Sequence, residues 1–350
     1  MLKKVKTLAC CALTTMIGCG GEPSPEYLSQ RVLVQNELVP KTTKSLKWLA
    51  MGDSYSAGNG EYAKSTLCNR DSAIAYPFQA MKMINDIGGS TTISSISHVA
   101  CSGAKILDVY RDQFPEIYTE KPDIVTMTIG GNDAGFGENV MKCMIDSCWQ
   151  VEDMPGLVGM NWSAIETYLY NLYTQARTAM QRANPDSKLY ILSYPVFFDP
   201  ASQSAYPKNF GCIVGVSNGE ARQMNAAAVR MGDSIAQAVR RANAYFTSIG
   251  HPELADIRFI DWRPPVAEEL VPEAVGWFFG YILGWHKMNN AYDLNGLCAD
   301  VNRPGTPLAM TPPLVSLLTD PNGRDETWHP TRLGYQVVAR RLTSQILSDF

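Results

Sequence analysis

The sequence predicts an α/β fold: a three-layer α/β/α sandwich around a mostly parallel five-stranded sheet. Three observations carry that expectation. Short apolar, β-branched segments alternate along the chain with longer segments of helical periodicity. Helix-capping signatures stand between the strands rather than in a separate block. Three of the strands run directly into glycine-containing turns, at the carboxyl ends where open parallel sheets bind ligands.

Lys47 to Met51 reads as a first short strand, handing over to Gly52-Asp53-Ser54. Ile93 to Val99 is a second, ending at Cys101-Ser102-Gly103, and Asp123 to Ile129 a third, running into Gly130-Gly131-Asn132-Asp133. Lys188 to Ser193 and Ile257 to Asp261 complete the five. Between them, Ser163-x-x-Glu166 is a capping box opening an amphipathic helix to about Ala183, and Ser217-x-x-Glu220 repeats the device before an Ala-rich helix to about Tyr245. Leu333 to Leu347 predicts a closing helix with Tyr335, Val338, Leu342 and Ile346 on one face. Repeated β-α-β with apolar strands implies a sheet covered on both faces. Residues 262–328 form a long irregular stretch whose apolar run, Ala274 to Trp285, is too short to span a bilayer and reads as a buried segment or a lid.

The 350-residue chain carries a formal charge of −4. Residues 1–18 hold Lys3, Lys4 and Lys6 and no acid, which leaves 27 basic against 34 acidic residues, or −7, in the remainder. Such a chain is a poor partner for nucleic acid, whose binding rests on Lys and Arg against phosphate. The same three lysines followed by the apolar stretch Thr7 to Gly18 form an export signal over residues 1–18. Met16-Ile17-Gly18-Cys19 resembles a bacterial lipobox, which would make Cys19 a lipidated membrane attachment point. Residues 19–45 read as a tether and 46–350 as one domain, of a bacterial outer-membrane lipoprotein or a secreted protein. Of nine cysteines, Cys10 and Cys11 lie in the leader and Cys19 at its cleavage site; Cys68, Cys101, Cys143, Cys148, Cys212 and Cys298 are an even set, which suggests disulfides in an exported chain. No C-x-x-C pair supports zinc.

Ser54 stands where a strand becomes a loop or helix, so its hydroxyl can project above the sheet while its own N–H faces the same space; helix capping would also explain a serine there. A serine nucleophile needs a base, and of four histidines (98, 251, 286 and 329) His329 has an acid three residues before it, Glu326, which a turn can bring to the imidazole's other nitrogen. Asp325 is one residue out of that spacing. Gly103 can offer an unobstructed backbone N–H and Asn132 a side-chain amide, so that with the Ser54 N–H three donors could surround one oxyanion. No G-x-S-x-G elbow or phosphate-binding glycine loop is present, and Ser102-x-x-Lys105 lacks an accompanying K-T-G. Asn161-Trp162-Ser163 is a sequon whose better reading is the Ser163 helix cap described above.

Taken together, Gly52-Asp53-Ser54, Gly103 in Cys-Ser-Gly-Ala, Gly130-Gly131-Asn132-Asp133 and the Glu326-to-His329 block resemble, in order, the four blocks of the SGNH-hydrolase (GDSL esterase/lipase) family. The similarity covers about residues 46–350 and is nearest to the secreted bacterial esterase branch with three disulfides. It implies a flavodoxin-like SGNH hydrolase fold, the pairings Cys68–Cys101, Cys143–Cys148 and Cys212–Cys298, and a carboxylic ester hydrolase acting on an ester or lipid, as a monomer and with no cofactor or metal. In this reading Ser54 is the nucleophile, His329 the base, and Ser54, Gly103 and Asn132 the oxyanion hole. Two departures from the pattern stand out: Ser54-Tyr55-Ser56 where Ser-Leu is usual, and Glu326 where the family has Asp. Some members of the branch orient the histidine with a backbone carbonyl, so Glu326, Asp325 and a carbonyl all stay open. An acyltransferase using the same residues, or a silent surface-binding lipoprotein, are the alternatives.

Overall fold

The computed structural model describes residues 43–60, 68–136, 161–195, 218–263, 329–330 and 332–350. Five strands form one parallel sheet in the order β2-β1-β3-β4-β5: β1 Lys44–Gly52, β2 Thr91–His98, β3 Ile124–Thr128, β4 Lys188–Leu192 and β5 Arg258–Ile260. The main helices among the described residues are α1 Ser54–Ala57, α2 Tyr76–Ile87, α3 Pro115–Glu120, α4 Trp162–Ala183, α5 Asn218–Ser248 and α6 Arg332–Asp349, with short helical turns at Ile106–Asp108 and Pro252–Leu254 and a π-helical turn at Val109–Gln113.

The chain leaves β1 towards β2 on one side and then returns across it to β3, β4 and β5 on the other. Right-handed crossovers put the helices of these opposite excursions on opposite faces. Accordingly α2 packs with α6, and α4 with α5 and α3. The reversal falls between β1 and β3, the place where open α/β sheets form their ligand crevice. The three-layer parallel sandwich expected from the sequence is what the chain forms.

The central strands are buried on both faces. Leu49, Ala50 and Met51, then Ile124, Val125 and Met127, then Leu189 to Leu192 are all at 0% exposure, as a parallel sheet covered by helices requires. The face of α6 read from the sequence is equally dry: Tyr335, Val338, Leu342 and Ile346 are fully buried.

Some boundaries differ from the sequence reading. β1 starts at Lys44, inside the stretch read as tether, because its first residues pair with β2 (Lys44 with Thr91) while β3 joins only at Trp48. Lys44, Ser45 and Lys47 there remain exposed, so no apolar run marks the pairing. The cap of α4 is Asn161 rather than Ser163: the Asn161 side chain accepts the Ala164 N–H at 3.1 Å, and Glu166 pairs with Arg241 at 2.7 Å instead of turning back on the helix end. An amide on a short side chain reaches that backbone donor as well as a hydroxyl does. α5 continues to Ser248, three residues past Tyr245, and the chain turns at Gly250 in the left-handed region (φ +82°).

Candidate active site

At the end of β1 the chain turns sharply, and Gly52 makes the turn possible. Its φ is +116°, and a Cβ there would lie 2.1 Å from the Thr128 carbonyl oxygen on β3. Gln113, buried at the end of the π-helical turn, holds both backbone groups of Gly52: it accepts the Gly52 N–H at 2.7 Å and donates to the Gly52 carbonyl at 2.9 Å. The next residue, Asp53, is the N-cap of α1, its carboxylate accepting the Tyr55 N–H at 3.1 Å. Ser54 is therefore the first helical residue and not the cap. With Asp53 capping the helix, the Ser54 hydroxyl is left for another partner.

That partner is His329, whose Nε2 lies 2.6 Å from Ser54 Oγ across 275 residues of sequence. Both side chains are nearly buried, at 8% and 7% exposure. In the tautomer with the proton on Nδ1, the hydroxyl donates to Nε2, the polarity that proton abstraction requires. The Tyr55 ring packs beside the imidazole at 4.7 Å between centroids. Pro330, immediately after His329, presses its carbonyl against Gly60, where a Cβ would stand 2.1 Å from the oxygen.

Behind Ser54 lies a buried polar cluster. Asp53 receives hydrogen bonds from the Thr128 hydroxyl at 2.8 Å and from the Tyr194 hydroxyl, besides the Tyr55 N–H. Burial pushes its carboxyl up to about 6, against the opposing pull of these donors. Ser56 bonds Thr128 Oγ1 at 2.7 Å and Tyr76 at 3.0 Å, fastening the inner face of α1 to β3 and α2.

The two other oxyanion candidates sit on neighbouring turns. Gly103 is exposed with φ +78°, and nothing lies within 4 Å of where its Cβ would be, so backbone conformation rather than crowding favours glycine. Its turn is held by the disulfide Cys68–Cys101, by the Ser102 N–H on the Cys68 carbonyl at 3.1 Å, and by the Asn59 amide on Ser102 Oγ at 2.8 Å. Asn132 Nδ2 donates to the Ala104 carbonyl at 3.0 Å, which ties the third strand end to the Gly103 turn. Asp133 accepts the Ile106 N–H at 3.1 Å and strengthens the same junction. Among the described residues, no group of three or more His, Cys, Asp or Glu side chains is gathered as metal ligands would be.

A serine hydroxyl held against a nearly buried imidazole is a pairing suited to nucleophilic attack by the serine. The family model described as GDSL-like lipase/acylhydrolase matches residues 50–280. The chain belongs to that family. A lipase from Streptomyces rimosus is 29% identical over 183 residues, 52% of this chain and 61% of its own length. Lipase 1 of Streptomyces coelicolor is 25% identical over 246 residues, 67% of this chain and 84% of its own. The crystal structure of phospholipase A1 from Streptomyces albidoflavus aligns over 86% of this chain and 98% of its own, at 19% identity and a TM-score of 0.48.

Within this GDSL-like chain, Ser54 and His329 are in contact, and Asn132 is bonded into the Gly103 turn. Glu326 and Asp325, Cys19, Cys143, Cys148, Cys212 and Cys298, the residue 1–18 leader, Ser217 and the run 274–285 lie outside the described residues. Sequence reasoning passed over four side chains or backbones that shape the site: Gln113, Asn59, Gly60 and Tyr194. For Tyr194 a signal was present, because it follows the fourth strand as Ser54 and Gly130 follow theirs. For Gln113, on a turn between β2 and β3, none was.

Proposed function

We propose that this GDSL-like chain is an exported serine esterase or lipase that cleaves carboxylic esters by an acyl-enzyme route. Ser54 attacks the ester carbonyl while His329 takes its proton. The Ser54 N–H, the Gly103 N–H and Asn132 bear the negative charge that develops on the carbonyl oxygen. His329 then protonates the leaving alcohol and activates water to release the acid. Glu326, Asp325 or a nearby carbonyl orients the imidazole. The lipase names of its sequence relatives favour a lipid-like ester as substrate. The leader at 1–18, the lipobox-like Cys19 and the tether that precedes β1 favour export with attachment to a membrane, and the pairs Cys143–Cys148 and Cys212–Cys298 would suit an exported domain.

The observation that carries this reading is the 2.6 Å contact between Ser54 Oγ and His329 Nε2. The test is Ser54→Ala assayed on p-nitrophenyl esters of graded chain length, with circular dichroism to check folding. Loss of activity by orders of magnitude in a folded variant is expected. Activity within about threefold of wild type would remove Ser54 from the mechanism. Partition of wild type, but not Cys19→Ala, into detergent checks the lipid anchor.

A further inference from the structure

We propose that Tyr194 is a positioning residue for this site, its hydroxyl fixing the Asn132 oxyanion donor relative to the Ser54 nucleophile. The inference rests on the ester-hydrolase reading above.

Tyr194 lies just beyond β4 and is buried. Its hydroxyl does two things. It donates to Asp53 Oδ2, on the residue that caps α1 and immediately precedes Ser54. It also accepts the N–H of Gly131, which immediately precedes Asn132, at 3.0 Å. One oxygen atom therefore spans the nucleophile turn and the oxyanion turn, two segments that come from different strands. The ring is fixed in place on two sides. It meets Tyr55 edge-on at 5.0 Å, and Gly131 offers no Cβ, which would stand 3.1 Å from the ring. Burial and the Asp53 charge push the hydroxyl well above its usual range, so it keeps its proton and its donor role across working pH.

The bridge closes a circuit. From Ser54 the chain of contacts runs through Asp53, Tyr194 and Gly131 to Asn132; from there the Asn132 amide reaches the Ala104 carbonyl beside Gly103. The Asn59 amide holds Ser102 on the other side of Gly103, and the Asn59 N–H returns to the Ser54 carbonyl at 3.1 Å. All three proposed oxyanion donors sit on this one loop of hydrogen bonds. Oxyanion stabilisation depends on donors already in place when charge appears, so a group that fixes their spacing acts on the transition state more than on substrate binding. The Asn132 and Asn59 amides each tie one of these turns to the Gly103 turn, whereas the Tyr194 hydroxyl bonds the Ser54 turn and the Asn132 turn directly to each other.

Tyr194→Phe removes that oxygen and keeps the ring. With p-nitrophenyl acetate, kcat should fall about tenfold or more while KM stays within about twofold, because a misplaced donor slows chemistry without emptying the site. In an Asn132→Ala background the same change should cost less than about threefold, since the donor it positions is gone. A tyrosine that only stabilises the fold would give independent, multiplicative losses, and that result, or an effect confined to KM, overturns the assignment. If circular dichroism shows Tyr194→Phe unfolded, Gly131→Ala, whose Cβ would displace the ring, is taken through the same cycle with the same two outcomes. Wild-type protein is treated in parallel with a serine-directed phosphonate. Absence of both ester turnover and an adduct on Ser54 brings down the hydrolase reading itself, whereas a reactive wild type with multiplicative variants brings down only the role of Tyr194.

Discussion

Gly60 lies directly against Pro330, its missing side chain making room for the carbonyl that follows His329; a Cβ would come within 2.1 Å of that oxygen. The histidine turn is thus seated on the loop that leaves the nucleophile helix, and the Tyr335 hydroxyl on α6 fixes the same loop by donating to the Asn59 carbonyl at 2.7 Å. Backbone cannot yield as a flexible side-chain tip can.

Gly60→Ala should therefore push the His329 turn away from Ser54. Overpacking of this kind costs about 1–3 kcal/mol of stability. Ester turnover should fall about tenfold or more at a temperature where the variant remains folded, because sub-ångström placement of the base is lost. Unchanged kcat with a lowered Tm would show that the turn relaxes without moving the imidazole.

His329→Ala should be nearly as damaging as loss of Ser54, since the two act as one unit. Glu326→Gln should be milder if a backbone carbonyl shares in orienting the imidazole, with Asp325→Asn as its companion. Rates of the three variants on one short-chain ester give the order. A larger loss from Asp325→Asn than from Glu326→Gln would make Asp325 the orienting carboxylate.

Asn132→Ala should lower kcat by about 10²–10³-fold, with little change in KM, since the oxyanion exists mainly in the transition state. Steady-state kinetics on the acetate ester measure both constants. An effect confined to KM would place Asn132 in substrate binding alone.

Asp53 gives the protein a stability term that depends on pH. An unfolded aspartate ionises near 3.8, whereas burial pushes the folded carboxyl up to about 6. Between these values the native state keeps a proton that the unfolded state has lost. The contribution is fully present below about pH 4 and is lost as pH rises through about 6, amounting to about 3 kcal/mol. Asp53→Asn cannot lose it. Urea unfolding at intervals from pH 4 to 8 should show the difference between variant and wild type moving in the variant's favour up to about pH 6 and level above pH 7. A difference independent of pH would mean that Asp53 does not titrate in this window.

The chain's order of strands and helices was legible because each element carries its own period and its own local signals. β3, from Ile124 to Thr128, and the α6 face with Tyr335, Val338, Leu342 and Ile346 are readable from residues a few places apart. The strand-end glycines at 52, 103 and 130 were readable for the same reason, since a turn's backbone demand is local; so were Ser54 and His329 as residue types suited to one reaction. The start of β1 and the cap of α4 were not, because strand pairing with Thr91 and the reach of the Asn161 amide leave no pattern in the local sequence. Tertiary structure alone decided that Asp53, and not Ser54, caps α1, and that Ser54 Oγ meets His329 Nε2. It alone placed Gln113 on Gly52, Pro330 on Gly60 and Tyr194 between Asp53 and Gly131. The physical reason is one of range. Propensity and periodicity act over a few residues, but a hydrogen bond between Ser54 and His329 exists only after five strands have paired in the order 2-1-3-4-5 and brought their ends together.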